Sequence, residues 1–129
     1  YAELNSKYRI DTDRVYLTGV SMGGYGTFIT ALDFPDKFAA IVPFCGGVND
    51  SDLVRICNLS KIPVWAFHGT ADDKIPFSET ERIAKDLESC ESNKNFKFTR
   101  LENEGHEIQY LYETKPEIYK WMLKQKKSK

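Results

Sequence analysis

The sequence has little of several residue types on which specialised functions depend. It holds two histidines and three cysteines in 129 residues, and the cysteines lack the spacing of a metal site. Its formal net charge of −1 supplies no electrostatic field for nucleic acid. No run of about 18 apolar residues occurs, so no transmembrane helix is expected. We therefore predict no nucleic-acid partner and no membrane partner.

The three cysteines, Cys45, Cys57 and Cys90, leave the compartment open. A bridge between Cys45 and Cys57 would close a short loop and would suit a secreted protein, whereas three unpaired thiols would suit the cytoplasm. The chain begins at Tyr1 rather than at a methionine, so the absence of a signal peptide carries little weight. We expect the chain to be an excerpt of a longer protein.

The alternation of apolar runs and helical patterns predicts an α/β fold. At 129 residues, 41% hydrophobic and 29% charged, residues 1–129 are expected to form a single globular domain. Strands separated by helical crossovers predict a three-layer α/β/α sandwich with a mainly parallel sheet. The predicted strands are Arg14 to Val20, Phe38 to Phe44, Pro63 to Phe67 and Phe96 to Leu101. The predicted helices are Tyr1 to Tyr8, Tyr25 to Asp33, Asp50 to Leu59, Glu79 to Ser89 with Ser78 and Glu81 as its capping box, and Glu113 to Lys124.

The segment Val15 to Thr27 organises the rest of the chain. It is an apolar strand that breaks at Gly19-Val20-Ser21-Met22-Gly23 and continues as a helix. Glycines two residues before and two after Ser21 permit a tight reversal that leaves its hydroxyl exposed, as a nucleophile requires. The N–H of Met22, at the positive end of the helix dipole, would face a developing oxyanion. The alternative is an ordinary turn in which Ser21 caps the helix.

Residues with acid–base chemistry follow two later strands, where parallel sheets gather their active residues. His106 lies in a polar loop after the fourth strand, where a structural histidine would gain little, so we predict that it is the base. His68 directly follows a buried strand, and we predict a structural role for it. Asp72 and Asp73 are both candidates for the acid and both could be turn residues. The Asp-x-x-Ile-Pro spacing favours Asp72.

These motifs resemble those of the α/β-hydrolase esterases. The similarity lies in Gly19-Val20-Ser21-Met22-Gly23-Gly24, in Val64 to Gly69 with Asp72, Ile75 and Pro76, and in Gly105-His106 followed by Tyr119 to Leu123. It is greatest to the carboxylesterase and polyhydroxyalkanoate-depolymerase-like group, which includes feruloyl and acetylxylan esterases and lies near the prolyl oligopeptidases. The resemblance implies Ser21 as nucleophile, Asp72 as orienting acid, His106 as general base and Met22 as one oxyanion donor, with no metal or organic cofactor.

Members of that family have further strands before the nucleophile strand, and a loop after one of them supplies the second oxyanion donor. We therefore expect this chain to be the C-terminal part of an esterase. The strand Arg14 to Val20 would then lie at a sheet edge and would pair with a missing N-terminal segment or with a second copy.

The sequence predicts a serine hydrolase that cleaves a small-molecule or polysaccharide-linked carboxylic ester through an acyl-enzyme. The alternatives are a peptidase of the prolyl oligopeptidase type and a catalytically incomplete fragment.

Overall fold

The structure is a computed structural model that describes residues 1–90 and 95–127. Its strands are β1 (Tyr16–Val20), β2 (Ala40–Phe44), β3 (Val64–Gly69) and β4 (Phe96–Leu101). Its α-helices are α1 (Ala2–Lys7), α2 (Met22–Asp33), α3 (Asp50–Leu53), α4 (Ser78–Glu88), α5 (Leu111–Thr114) and α6 (Glu117–Leu123), with a 3-10 helix at Ile56–Leu59. In these described ranges, no helix is both long and apolar enough to cross a bilayer.

The four strands form one parallel sheet in the order β1-β2-β3-β4. All crossovers step in the same direction, and residues of α2, the 3-10 helix and α4 share one buried cluster, so the connecting helices lie on one face, as the right-handed crossover rule predicts. The predicted α/β fold with a mainly parallel sheet is confirmed. The carboxyl ends of all four strands consequently meet at one edge of the sheet.

Alternate side chains of the central strands enter two separate cores. Along β3, Val64 and Ala66 belong to one buried cluster, whereas Trp65 and Phe67 belong to the other. The first cluster is completed by α2, the 3-10 helix and α4, through Phe28, Leu32, Leu59, Ile83 and Leu87. The second is completed by the segment after β4, through Ile108, Leu111, Ile118 and Met122. The sheet therefore lies between two helical layers, and its central strands are buried on both faces.

Several predicted helix boundaries are wrong. Helix α2 begins at Met22, directly after the turn. The capping box at Ser78 does not form, because Ser78 is the first helical residue and the Glu81 N–H donates to the carbonyl of Phe77. The helix predicted over 113–124 is divided, since Lys115 has non-helical angles (φ −122°, ψ 79°) before Pro116. The helix predicted over 50–59 is likewise divided, into α3 and the 3-10 helix.

The cysteine pairing also differs from both sequence-based alternatives. The disulfide joins Cys57 and Cys90, whose Cα atoms are 5.5 Å apart, while Cys45 is a buried free thiol. The bridge links the 3-10 helix to Cys90, two residues beyond the end of α4. Cys45 cannot take part because it lies at the end of β2, on the carboxyl edge of the sheet. The turn predicted at Asn93 and Asn95 falls partly outside the described residues.

Candidate active site

The turn after β1 holds Ser21 in a strained conformation. Ser21 has φ 61° and ψ −113°, in the left-handed half of conformational space that L-residues rarely occupy. Its N–H donates to the carbonyl of Phe44 at 3.0 Å, which fixes the turn to the end of β2. Although Ser21 occupies the N-cap position of α2, its side chain makes no capping hydrogen bond. The interpretation of Ser21 as a simple helix cap is therefore wrong.

Glycines allow the backbone segments around this turn to approach closely. A Cβ on Gly19 would lie 2.3 Å from the carbonyl oxygen of Gly23, and one on Gly24 would lie 2.4 Å from that of Phe44. A Cβ on Gly23 would meet no atom within 4 Å. The prediction that the turn has no room for a side chain is thus confirmed at Gly19 and is wrong at Gly23, where a Cβ would enter open space. Gly24, which is packed against the end of β2, is the second glycine that the turn requires.

The loop after β3 holds the carboxylate of Asp72. The backbone N–H groups of Lys74 and Ile75 each donate to Oδ1 of Asp72 at 2.9 Å, so the side chain closes its own turn. The side chain of Asp72 is 0% exposed, whereas Asp73 is exposed. Because these contacts use Oδ1, Oδ2 of Asp72 is available to a group from the loop after β4.

The loop after β4 is packed tightly against the end of β3. A Cβ on Gly69 would lie 2.3 Å from the carbonyl oxygen of Glu104, and the N–H of Ala71 donates to that same oxygen at 2.9 Å. This close approach brings His106, two residues after Glu104, beside Asp72. Gly69 is therefore a positional requirement of the site, since a side chain there would separate the two loops.

The three predicted residues form one chain of hydrogen bonds. Oγ of Ser21 lies 2.9 Å from Nε2 of His106, and Nδ1 of His106 lies 2.8 Å from Oδ2 of Asp72. An ionised carboxylate can only accept, so Nδ1 of His106 carries the proton and Nε2 is left to accept the hydroxyl proton of Ser21. The side chain of His106 is 12% exposed. The structure brings Ser21, Asp72 and His106 together, in the arrangement that activates a serine nucleophile.

The hydrogen bonds to Asp72 keep its carboxylate charged. Burial by itself raises the pKa of Asp72, but the hydrogen bond from His106 and the N–H groups of Ile75 and Lys74 outweigh it, so the net pKa lies below its usual value. A charged Asp72 holds the imidazole of His106 in the required tautomer and would stabilise its protonated form.

Cys45 lies beneath the site, a placement that the sequence did not suggest. It has φ 40°, and its Sγ lies 3.8 Å from the carbonyl oxygen of His106. Possible ligand atoms of Cys45, Asp72 and His106 lie within 4.8 Å of one another. However, burial raises the pKa of the Cys45 thiol to about 11, and His106 and Asp72 are already bonded to each other. A metal ion would have to displace both this bond and the thiol proton, so the arrangement fits a triad better than a metal centre.

His68 and Thr80 are further buried polar residues beside the triad. His68, for which the sequence predicts a structural role, is 0% exposed. Its Nε2 lies 2.8 Å from the carbonyl oxygen of Ile75 and 3.3 Å from Oδ2 of Asp72, while its Nδ1 lies 2.8 Å from Oγ1 of Thr80. The contact with Asp72 was not predicted. The only available signal was the four-residue spacing of His68 and Asp72 across a loop, and loop conformation does not follow from spacing.

Known proteins of similar sequence include two esterases. The chain is 36% identical over 87 residues to a bifunctional acetylxylan esterase/xylanase, XynS20E, of Neocallimastix patriciarum, covering 64% of this chain and 12% of that protein. It is 29% identical over 101 residues to acyl-protein thioesterase 1 of Eremothecium gossypii, covering 77% of this chain and 43% of the relative. The chain thus spans less than half the length of either relative.

Among solved structures, the fold is similar to that of a thermostable esterase. The TM-score is 0.86 at 31% sequence identity, covering 98% of this chain and 34% of that one. Residues 2–115 match the family described as phospholipase/carboxylesterase, which confirms the predicted resemblance to the α/β-hydrolase esterases. The chain belongs to the phospholipase/carboxylesterase family.

Proposed function

We propose that this chain carries the catalytic serine, acid and base of a carboxylic-ester hydrolase that works through an acyl-enzyme on Ser21. The observation that carries the proposal is the continuous chain of hydrogen bonds from Ser21 through His106 to Asp72. The buried and charged Asp72 fixes the tautomer of His106 that can accept a proton at Nε2. This is the arrangement that an otherwise weak serine nucleophile needs.

The reaction follows from this geometry. Nε2 of His106 takes the hydroxyl proton as Oγ of Ser21 attacks the ester carbonyl, and the protonated imidazole then gives that proton to the departing alkoxide. Asp72 stabilises the imidazolium without taking its proton. In the second half, His106 takes a proton from water, the hydroxide attacks the acyl carbonyl, and the acid leaves as Ser21 regains its proton.

The N-terminus of α2 would stabilise the tetrahedral oxyanion. Helices leave their first N–H groups without helical partners, and Met22 is the first residue of α2. We assign the Met22 N–H as one oxyanion donor. One missing donor costs on the order of 100 to 1000-fold in rate, so the activity of this chain depends on a second donor as well.

The substrate that we propose is a small-molecule or polysaccharide-linked carboxylic ester. The names of the relatives, an acetylxylan esterase and an acyl-protein thioesterase, support acyl transfer to water. They favour an ester over the amide substrate of the alternative peptidase. Hydrolysis of matched ester and anilide substrates with the same acyl group would distinguish the two, because we expect turnover of the ester alone.

We further propose that the β1 edge pairs with another strand. The carbonyl of Val15 accepts from Ala39 and the N–H of Ser21 donates to Phe44, so odd-numbered residues of this segment bond to β2. By alternation along a strand, the backbone groups of Tyr16, Thr18 and Val20 point away from β2. The partner strand would come from a preceding segment of a longer protein or from a second copy. Gel filtration showing a monomer with a cooperative melt would contradict pairing in this chain alone.

Hydrolysis of p-nitrophenyl acetate by the chain, compared with Ser21→Ala, tests the proposed activity. We expect turnover above the buffer rate in the parent chain and its loss in the variant. The variant removes a single hydroxyl group and should fold normally, which the circular dichroism spectrum checks. Equal rates for two folded proteins would mean that this chain is not a competent enzyme on its own.

A further inference from the structure

His68 is a second histidine that lies against Asp72, near the same carboxylate oxygen that contacts His106. It is the penultimate residue of β3 and is 0% exposed. Its ring packs edge to face against that of Phe77, with the ring centroids 5.7 Å apart. Its two ring nitrogens contact the loop that carries Asp72 and the first turns of α4. A histidine in this position connects three separate segments, and one of them is the loop that carries the carboxylate.

The hydrogen-bond partners of His68 determine which of its nitrogens carries a proton. The carbonyl oxygen of Ile75, 2.8 Å from Nε2, can only accept, so Nε2 must be the protonated nitrogen. In the neutral ring, Nδ1 then carries no proton, so Nδ1 of His68 and the carbonyl oxygen of Gly46 share the single hydroxyl proton of Thr80. His68 and His106 therefore have opposite tautomers, Nε2–H in the first and Nδ1–H in the second.

The peptide of Ile75 links His68 mechanically to Asp72. Its carbonyl accepts from Nε2 of His68, while its N–H donates to Oδ1 of Asp72 at 2.9 Å. In addition, Nε2 of His68 lies 3.3 Å from Oδ2, the oxygen that accepts from His106. Both oxygens of the carboxylate are thus affected by the placement of one buried N–H group.

Thr80 fixes the opposite side of the ring. Its Oγ1 lies 2.8 Å from Nδ1 of His68 and 2.9 Å from the carbonyl oxygen of Gly46, in the loop after β2. Among the described residues, the other titratable groups that act on this pair are His106 from the loop after β4, which acts on both His68 and Asp72, and Cys45 from the loop after β2, which acts on Asp72. Helix α4 contributes Thr80, and Phe77 precedes it.

We propose that His68 is a positioning residue of the triad, holding Asp72 in place for His106 through its Nε2–H. The inference rests on the proposed esterase function, which it deepens by adding a residue that acts through Asp72 and does not touch substrate. The Nε2–H orients the Ile75 peptide and lies against Oδ2, so its loss would let the carboxylate rotate away from Nδ1 of His106.

A matched pair of amide substitutions tests this proposal. The amide nitrogen of His68→Gln reaches about as far as Nε2 of histidine, whereas that of His68→Asn reaches only as far as Nδ1. For p-nitrophenyl acetate we expect kcat to fall about 10-fold in His68→Asn, with KM unchanged, and to recover most of that loss in His68→Gln. Equal kcat values in wild type and both folded variants would overturn the proposal.

A second readout is independent of activity. The chain contains two histidines, so one substitution assigns both imidazoles in nitrogen-15 NMR spectra. We expect the Nε2–H tautomer in His68, and we expect the Nδ1 proton resonance of His106 to move in His68→Asn and to return in His68→Gln. An Nδ1–H tautomer in wild-type His68 would overturn the proposal even if the Asn variant failed to fold. If wild type shows no Ser21-dependent turnover, the proposed function fails while these spectra still test His68.

Discussion

The strands begin at one edge of the sheet, the amino edge, and end at the other, the carboxyl edge. These two edges differ in how their backbone and polar groups are arranged. Among the described residues, the non-glycine residues with positive φ are Ser21, Cys45 and Asn103, and each follows the carboxyl end of a strand. The same edge holds the buried polar groups of Asp72, His68 and Thr80. Backbone strain and buried charge both reduce the stability of the fold. Their concentration at the carboxyl edge therefore indicates that this edge carries the functional site.

The amino edge has ordinary connections and additional restraints. The backbone N–H of Lys127 donates to the carbonyl of Asp13 at 2.9 Å, and its Nζ donates to that of Asp36 at 2.9 Å. Helix α4 runs antiparallel to the strands, so the Cys57–Cys90 disulfide at its end lies toward this amino edge. One edge of the sheet thus stabilises the fold, while the other positions the site.

Removing the disulfide should give the largest change in stability. Replacing Cys57 and Cys90 by alanine should lower the free energy of unfolding by about 3 to 4 kcal/mol, because the unfolded chain gains the freedom of a closed loop. Urea denaturation measures this change. Since the bridge lies away from the triad, esterase activity below the unfolding transition should be unaffected. A triad-specific loss of activity in the folded double variant would contradict the separation of the two edges.

A smaller loss is expected for a substitution at the carboxyl edge. Gly24→Ala would place a Cβ 2.4 Å from the carbonyl oxygen of Phe44 and should lower the free energy of unfolding by about 2 kcal/mol or more, because backbone must move. Gly26→Ala is the matched control in the same helix, where a Cβ meets no atom within 4 Å. That variant should be stabilised by up to about 1 kcal/mol. Similar denaturation midpoints for the two variants would contradict the close packing of α2 on β2.

The smallest effect concerns the pH dependence of stability. Burial lowers the pKa of His68, against the opposing effects of the Ile75 carbonyl and Asp72, so the unfolded chain binds a proton more readily than the folded one. The free energy of unfolding is therefore unaffected by protonation of His68 above the pKa that His68 has in the unfolded chain. It decreases as the pH falls from that value toward the lower pKa of His68 in the folded chain. Between about pH 7 and 5, wild type should lose stability on the order of 1 kcal/mol more than His68→Gln does. Parallel pH profiles from urea denaturation would show that His68 titrates normally.

Much of the fold and of the site could be predicted from local patterns. Apolar strands separated by helices predict a parallel sheet, and a parallel sheet brings Ser21, Asp72 and His106 to one edge even though they lie far apart in the chain. The choice of Asp72 over Asp73 as the partner of His106 agrees with the structure, because Oδ2 of Asp72 lies 2.8 Å from Nδ1 of His106 whereas Asp73 is exposed.

The remaining features depend on packing between distant segments. Three cysteines permit three pairings. Cys57 pairs with Cys90 because the 3-10 helix packs against α4, and the sequence does not predict that contact. The requirement for Gly24 arises from its contact with the end of β2, not from the motif around Ser21. The contact of His68 with Asp72 depends on how the loop after β3 folds back, which no periodicity encodes.

Labelling with a fluorophosphonate tests the central claim most directly, because the reagent modifies a serine only when a neighbouring base activates it. We predict one label per folded chain, located on Ser21 by peptide mass spectrometry, with none in Ser21→Ala. Asp72→Asn should slow the labelling by as much as about 10⁴-fold, since His106 would lose its orienting carboxylate. A folded chain that is not labelled at Ser21, or that is labelled equally fast in Asp72→Asn, would contradict the account.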